Sequence, residues 1–162
     1  MGNILDLFFI FGAKYLYLAV IIAAFIWFLN QSQSRQKEAL IIFCICLPLI
    51  FIAAQVAGRI YYNPQPFVQG NFTPLIPHKP DNGFPSHHVL LVSAISAIIF
   101  IFSKRLGLIL WALALLVGIS RVYAGVHHVI DITASMLISA ILVILVYFFY
   151  AKLRKRDKKW AY

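Results

Sequence analysis

The chain has 162 residues, of which 62% are hydrophobic and 12% charged, with a formal net charge of +9. A soluble domain is about half apolar and roughly a quarter charged. This composition excludes an ordinary water-soluble globule, because one small core cannot bury so much apolar surface and lipid must solvate the rest. The positive charge does not point to nucleic acid: it flanks apolar runs and is densest in the tail, at Lys152, Arg154, Lys155, Arg156, Lys158 and Lys159, a pattern that orients a chain in a membrane.

In chain order, residues 3–12 are apolar apart from Asp6 and too short to cross a bilayer, which predicts an interfacial helix. Five apolar stretches follow, over 13–30, 38–57, 86–103, 106–120 and 130–151. Each approaches the ~20 residues a crossing needs, the fourth only if it extends through Tyr123. The expected fold is an all-α polytopic membrane bundle of about five transmembrane helices plus the N-terminal interfacial helix, forming one membrane-embedded domain over 1–162. Cys44 and Cys46, two apart in the second stretch, cannot pair on a helix and read as small buried apolar residues. The only long connection, 58–85, is rich in Pro, Asn, Gly and aromatics, and connections of that length commonly carry function.

Arg35, Lys37, Lys104, Arg105 and the basic tail fall on one side of such a bundle, ten of the fourteen Lys and Arg residues. The positive-inside rule makes that side cytoplasmic, with the N-terminus outside and the C-terminus inside. All five histidines, with Asp81, Asp131, Arg59 and Arg121, then collect on the outer side. Hydropathy does not require this, and ionisable groups at membrane depth are costly enough that a cluster of them marks a site.

Three segments carry the chemistry. In Ser120-Arg121 and His127-His128-Val129-Ile130-Asp131, His127 and Asp131 are four apart, the spacing of contact on a helix. A carboxylate on one imidazole nitrogen fixes the tautomer and frees the other nitrogen as base or nucleophile. The same spacing also suits an aspartate that caps a helix beside an interfacial histidine. Arg121 offers a planar fork for phosphate oxygens. In Pro85-Ser86-His87-His88, Ser86 reads as an N-cap whose following N–H groups form an anion site, with His88 on the first turn, where a general acid would stand. In Gly58-Arg59 through Gln65-Pro66, Arg59 can reach a phosphate or snorkel to headgroups. Lys79 is a candidate headgroup contact.

Taken together and in this order, these segments resemble the type 2 phosphatidic acid phosphatase family over roughly 58–141. The third family motif, Ser-Arg, five residues, His, three residues, Asp, is matched by Ser120, Arg121, His127 and Asp131. The second, Pro-Ser-Gly-His, is matched by Pro85, Ser86 and His88, with His87 in the glycine place. The first, Lys, six residues, Arg-Pro, is departed from: Gly58 holds the lysine place and Gln65-Pro66 the Arg-Pro place. Within the family the segments look most like the small undecaprenyl-diphosphate phosphatases of the bacitracin-resistance type.

The resemblance implies a membrane lipid carrying phosphate or diphosphate as partner, at the outer face of a bacterial inner membrane. It implies that His127 attacks phosphorus, Asp131 orients it, and His88 protonates the leaving oxygen and then activates water. Arg121, Arg59, the backbone at Ser86 and His87, and Gln65 would hold the phosphoryl oxygens. It implies no cofactor and no metal, and the residues agree, since Asp81 and Asp131 are too few outer carboxylates for a two-metal hydrolase. Undecaprenyl diphosphate is the expected substrate. Phosphatidylglycerophosphate, phosphatidic acid and the 1-phosphate of lipid A are alternatives within the family. Readings from other classes are a metal-dependent membrane enzyme using His87, His88, His127, His128 and Asp131, and a non-catalytic binder of anionic headgroups. Replacing His87 with Gly should leave turnover near wild type, whereas His88→Ala should nearly abolish it; equal losses in a phosphate-release assay would remove His88 from the acid role.

Overall fold

The computed structural model describes residues 3–159, with side chains described through Arg154. The side chains of Lys155, Arg156, Lys158 and Lys159, in the expected basic tail, lie outside the described residues. Among the described residues there are six helices: α1 (Ile4–Leu29), α2 (Gln33–Ile60), α3 (Pro66–Gln69), α4 (His87–Phe102), α5 (Lys104–Tyr123) and α6 (Val129–Lys159). No strand occurs among the described residues, only an isolated bridge between Pro64 and Asn82.

Four helices are long and apolar enough to cross a membrane: α1, α2, α5, and α6 from Val129 to Arg154. The expected interfacial helix over 3–12 is not separate. It is the first part of α1, because no residue between it and the first span breaks the helix, and Asp6 sits in the first turn, where its carboxylate accepts from the Asn3 N–H at 3.2 Å. The fourth apolar stretch does extend through Tyr123.

The remaining apolar helix, α4, has 16 residues. At 1.5 Å per residue it is about 24 Å long, short of the roughly 30 Å hydrocarbon layer. Burial explains its sequence: every residue from Val92 to Ile99 is buried, so α4 is apolar all round where a lipid-facing helix would need only one packed face. It packs against α2 and α6 through Ile98, Leu90, Ile50, Ile42 and Val143, and against α1 and α5 through Ile95, Ile99, Val20 and Leu110. Phe25, Ile52, Leu108, Ile144 and Phe148 are among the large apolar side chains left exposed on the surrounding helices, as a lipid-facing surface requires.

Polar stitches set the register. Ser139 Oγ donates to Leu90 O at 2.9 Å and Ser135 Oγ to Ser86 O at 3.0 Å, fixing α6 against the start of α4. α1 and α5 approach closely at Gly12, where an added Cβ would lie 2.9 Å from Ser120 Cβ. The two ends of the bundle are distinct. Tyr123 Oη donates to Asp6 Oδ1 at 2.9 Å at one end, and Arg154 Nη1 donates to Glu38 Oε1 at 2.8 Å at the other.

Candidate active site

The connection from Tyr61 to Ser86 folds back over the Asp6–Tyr123 end of the bundle. Asn82 is its hub. Its Oδ1 accepts from the Asn63 and Phe84 N–H groups at 2.9 and 3.0 Å, while its Nδ2 donates to Gly58 O at 2.8 Å and Tyr61 O at 3.2 Å. The Leu75 and Phe67 N–H groups donate to Ala124 O and Gly125 O, tying the connection to the α5–α6 turn. That turn is made by Gly125, whose φ of +78° ends α5 at no cost to a side chain.

Asp131 is 0% exposed and fully engaged. Its Oδ1 accepts from Asn63 Nδ2 at 2.7 Å, and its Oδ2 from the His128 N–H at 2.8 Å. The second contact is that of a third-position helix residue reaching back to its N-cap, so Asp131 does cap α6. It also faces His127, whose Nδ1 lies 3.4 Å from Oδ2, within ion-pair distance though off hydrogen-bond alignment. His127 itself precedes α6 by two residues, so the pair meets through the cap and not as two positions along one helix face. Gly83 lies against this arrangement; a Cβ there would come within 3.2 Å of Asp131 Oδ2 and of Gln65 Cγ.

Arg121, 3% exposed, lies across the pair. Its Nη1 donates to Ala13 O of α1 at 3.2 Å, and its Nη2 lies 3.4 Å from His127 Nε2 and 3.2 Å from His78 Nε2. A guanidinium only donates, so His127 Nε2 is an acceptor and its ring proton sits on Nδ1, toward Asp131. Burial lowers the His127 pKa below its ordinary value; Asp131 opposes this and Arg121 adds to it. The imidazole is thus a free base at neutral pH with its Nε2 lone pair beside a guanidinium.

Ser86 is 0% exposed, and its Oγ has no hydrogen-bond partner, at the N-cap of α4. His88 follows on the first turn, edge-on to Tyr17 at 5.0 Å and within electrostatic reach of Arg121 and His127. The structure therefore brings together His127, Asp131, Arg121, Ser86 and His88. Gln65 joins them from the connection: it is 0% exposed, with Oε1 accepting from the Asp81 N–H at 2.9 Å and Nε2 donating to Asp81 Oδ1. His87 is exposed and its ring lies toward Phe51, 6.3 Å away. Arg59 and Lys79 are exposed, and neither side chain makes a hydrogen bond or ion pair among the described residues. Asn63, which the sequence does not single out, and His78, one of the five clustered histidines but without an expected role, also belong to the cluster. No group of three or more His, Cys, Asp or Glu placed to hold a metal occurs among the described residues.

A buried cation beside an imidazole–carboxylate pair, under a polar cap on an apolar bundle, suits phosphate presented at a membrane surface. Comparison with known proteins returns that class, membrane enzymes acting on phosphate esters. The chain belongs to the PAP2 superfamily, whose profile matches residues 39–155. It is 31% identical over 158 residues to the undecaprenyl-diphosphatase BcrC of Bacillus subtilis, covering 94% of this chain and 79% of that one. It is 33% identical to the bacitracin transport permease protein BcrC of Bacillus licheniformis, over 75% of this chain and 61% of that protein's length. The crystal structure of Aquifex aeolicus LpxE shares the fold, with a TM-score of 0.68 and 24% identity over 91% of this chain and 87% of that one.

Asn63→Ala leaves Asp131 Oδ1 buried without its partner, a loss of roughly 1–3 kcal/mol, or about ten- to a hundredfold in rate if it is felt at His127. The expected outcome in steady-state kinetics is a fall in kcat of that size with little change in KM.

Proposed function

We propose that this chain removes phosphate from a lipid phosphate or diphosphate at the outer face of the membrane, through a phosphohistidine on His127, with undecaprenyl diphosphate as substrate. One observation carries the reading: Arg121 is buried, its Nε has no hydrogen-bond partner, and no carboxylate lies within ion-pair distance of it among the described residues. A buried cation is stable only when its charge is answered, and the Nη2 of this guanidinium lies 3.4 Å from His127 Nε2. A phosphoryl group bound there would answer the charge.

In the first step His127 Nε2 forms a bond to phosphorus and the bond from phosphorus to the lipid-side oxygen breaks. Burial and the nearby Arg121 lower the His88 pKa to about 4, so His88 takes up its proton once the phosphate anion is bound beside it; it gives that proton to the oxygen, and the lipid leaves as its alcohol or monophosphate. In the second step His88 takes a proton from water, the water oxygen bonds to phosphorus, and the N–P bond breaks to release inorganic phosphate. Asp131 holds the Nδ1 proton throughout and stabilises the charge that His127 acquires on attack. Arg121, with the Ser86 hydroxyl and the N–H groups that follow it, holds the equatorial oxygens where charge is greatest. Gln65 acts through the loop it fixes, and Arg59 and Lys79 are left for headgroup contacts.

Undecaprenyl diphosphate is favoured by the name of the Bacillus subtilis relative. An apolar groove of about 360 Å³ between α5 and α6 also supports it; Ile119, Val122, Tyr123, Val129, Ile132 and Met136 line it, at the same end as the site. The isoprenoid could lie there while the diphosphate stays in the polar layer. The outer location follows from the ten Lys and Arg residues assigned to the opposite end.

The test is phosphate release by the purified protein in detergent with EDTA, from undecaprenyl diphosphate, phosphatidylglycerophosphate, phosphatidic acid and lipid A 1-phosphate, beside His127→Ala. Release fastest from undecaprenyl diphosphate, persisting in EDTA and lost in the variant, is expected. Release that needs added zinc would replace this reading with the metal enzyme. Headgroup binding without release from any lipid would replace it with the binding protein.

A further inference from the structure

The first family motif lacks both of its cations here, since Gly58 and Gln65 stand in the lysine and arginine places. The side chain found where the motif departs is an imidazole. His78 Nε2 lies 3.2 Å from Arg121 Nη2, and its ring meets that of His127 edge-to-face with centroids 5.9 Å apart. Because the guanidinium can only donate, His78 Nε2 accepts, which leaves the His78 proton on Nδ1. There Lys79 O waits at 3.0 Å as the acceptor. Gln65 Nε2 also lies 3.1 Å from Nδ1, but its two hydrogens go to Asp81 Oδ1 and Lys79 O, so it does not contest that proton.

The loop that carries His78 is itself fixed from beneath. Gln65 bonds Asp81 through both ends of its amide and donates to Lys79 O at 3.3 Å. Gln65 therefore acts on the backbone on either side of Pro80 and so sets where the His78 ring stands. The Arg121 Nη2 that His78 accepts from is the same atom that lies 3.4 Å from His127 Nε2, the nitrogen that must be free to attack. Nη2 carries two hydrogens, so each imidazole takes one, and the two acceptors together fix the plane of the fork.

We propose that His78 is a positioning residue of the reaction: its Nε2 lone pair takes one Nη2 hydrogen, fixes the plane of the Arg121 guanidinium beside His127 and aims it at the phosphoryl group, and Gln65 with Asp81 fixes the loop that makes this possible. The proposal rests on the lipid phosphatase reading above. Its chemistry is that of an acceptor and not of a replacement cation, and this separates the variants. Gln at position 78 carries a carbonyl oxygen near the place of Nε2 but cannot take a proton there, whereas Lys supplies a cation and no acceptor.

The experiment measures kcat/KM on the lipid hydrolysed fastest, with a thermal melt of each variant. His78→Ala should lower kcat/KM by about tenfold or more, the scale of a lost hydrogen bond to a charged group. His78→Gln should recover most of the loss, and His78→Lys should recover none. In an Arg121→Lys background, where the fork is gone, His78→Ala should cost much less than in the wild-type background. Equal factors in both backgrounds, recovery by Lys and not Gln, or an unimpaired His78→Ala protein would each overturn the proposal. A wild-type protein inactive on every lipid would overturn the reading beneath it as well.

Discussion

A guanidinium is buried at one end of an apolar bundle with no carboxylate among the described residues within ion-pair distance, and much of the polar architecture at that end is arranged around it. Arg121 takes a main-chain acceptor from α1 at Ala13 and two imidazole acceptors from the connections, His78 and His127. These neutral acceptors hold the group in place without cancelling its charge. A carboxylate in their position would make a tight pair and leave nothing for an anion to gain. Asp131, the carboxylate nearest the cluster, is instead occupied by Asn63 and by the His128 N–H, and faces the other side of the His127 ring.

The helices account for the precision of this arrangement. α4 is wrapped by α1, α2, α5 and α6, and its N-terminus is pinned by Ser135 and Ser139 of α6. The Ser86 N–H donates to Asp131 O at 3.3 Å, so the start of α4 and the start of α6 share one anchor. The N-terminus of α4 and His127 at the mouth of α6 are therefore held to one anchor. A helix of 16 residues is suited to this role, because its N-terminal end stops at the level of the buried cluster.

The parts legible in the sequence were those encoded locally. Ser86 and His88 are fixed by a helix start, and His127 and Asp131 by a four-residue spacing, although the spacing works through a cap and not along a helix face. The all-helical bundle and the extension of α5 through Tyr123 followed from hydropathy. The interfacial helix over 3–12, expected from its shortness, merges into α1 because nothing between it and the first span breaks the helix, and Asp6 fits its first turn, where a carboxylate is favoured. The partners of these residues were not legible. Asn63 meets Asp131 across 68 positions, His78 meets Arg121 across 43 and Ala13 meets it across 108, all set by the folded connection and by the approach of α1 at Gly12. Arg59, a plausible phosphate ligand by position alone, lies exposed on the last turn of α2.

The central claim is that Arg121 delivers a phosphoryl group to the Nε2 lone pair of a neutral His127. It is tested most directly by quenching the enzyme in alkali during turnover of phosphorus-labelled lipid diphosphate and locating the label on the protein by mass spectrometry. The account predicts an alkali-stable, acid-labile phosphoryl group on His127 that is absent from His127→Ala and disappears when substrate is exhausted. Label on another residue, or rapid turnover by the wild-type protein with no trapped phosphoprotein, would contradict it.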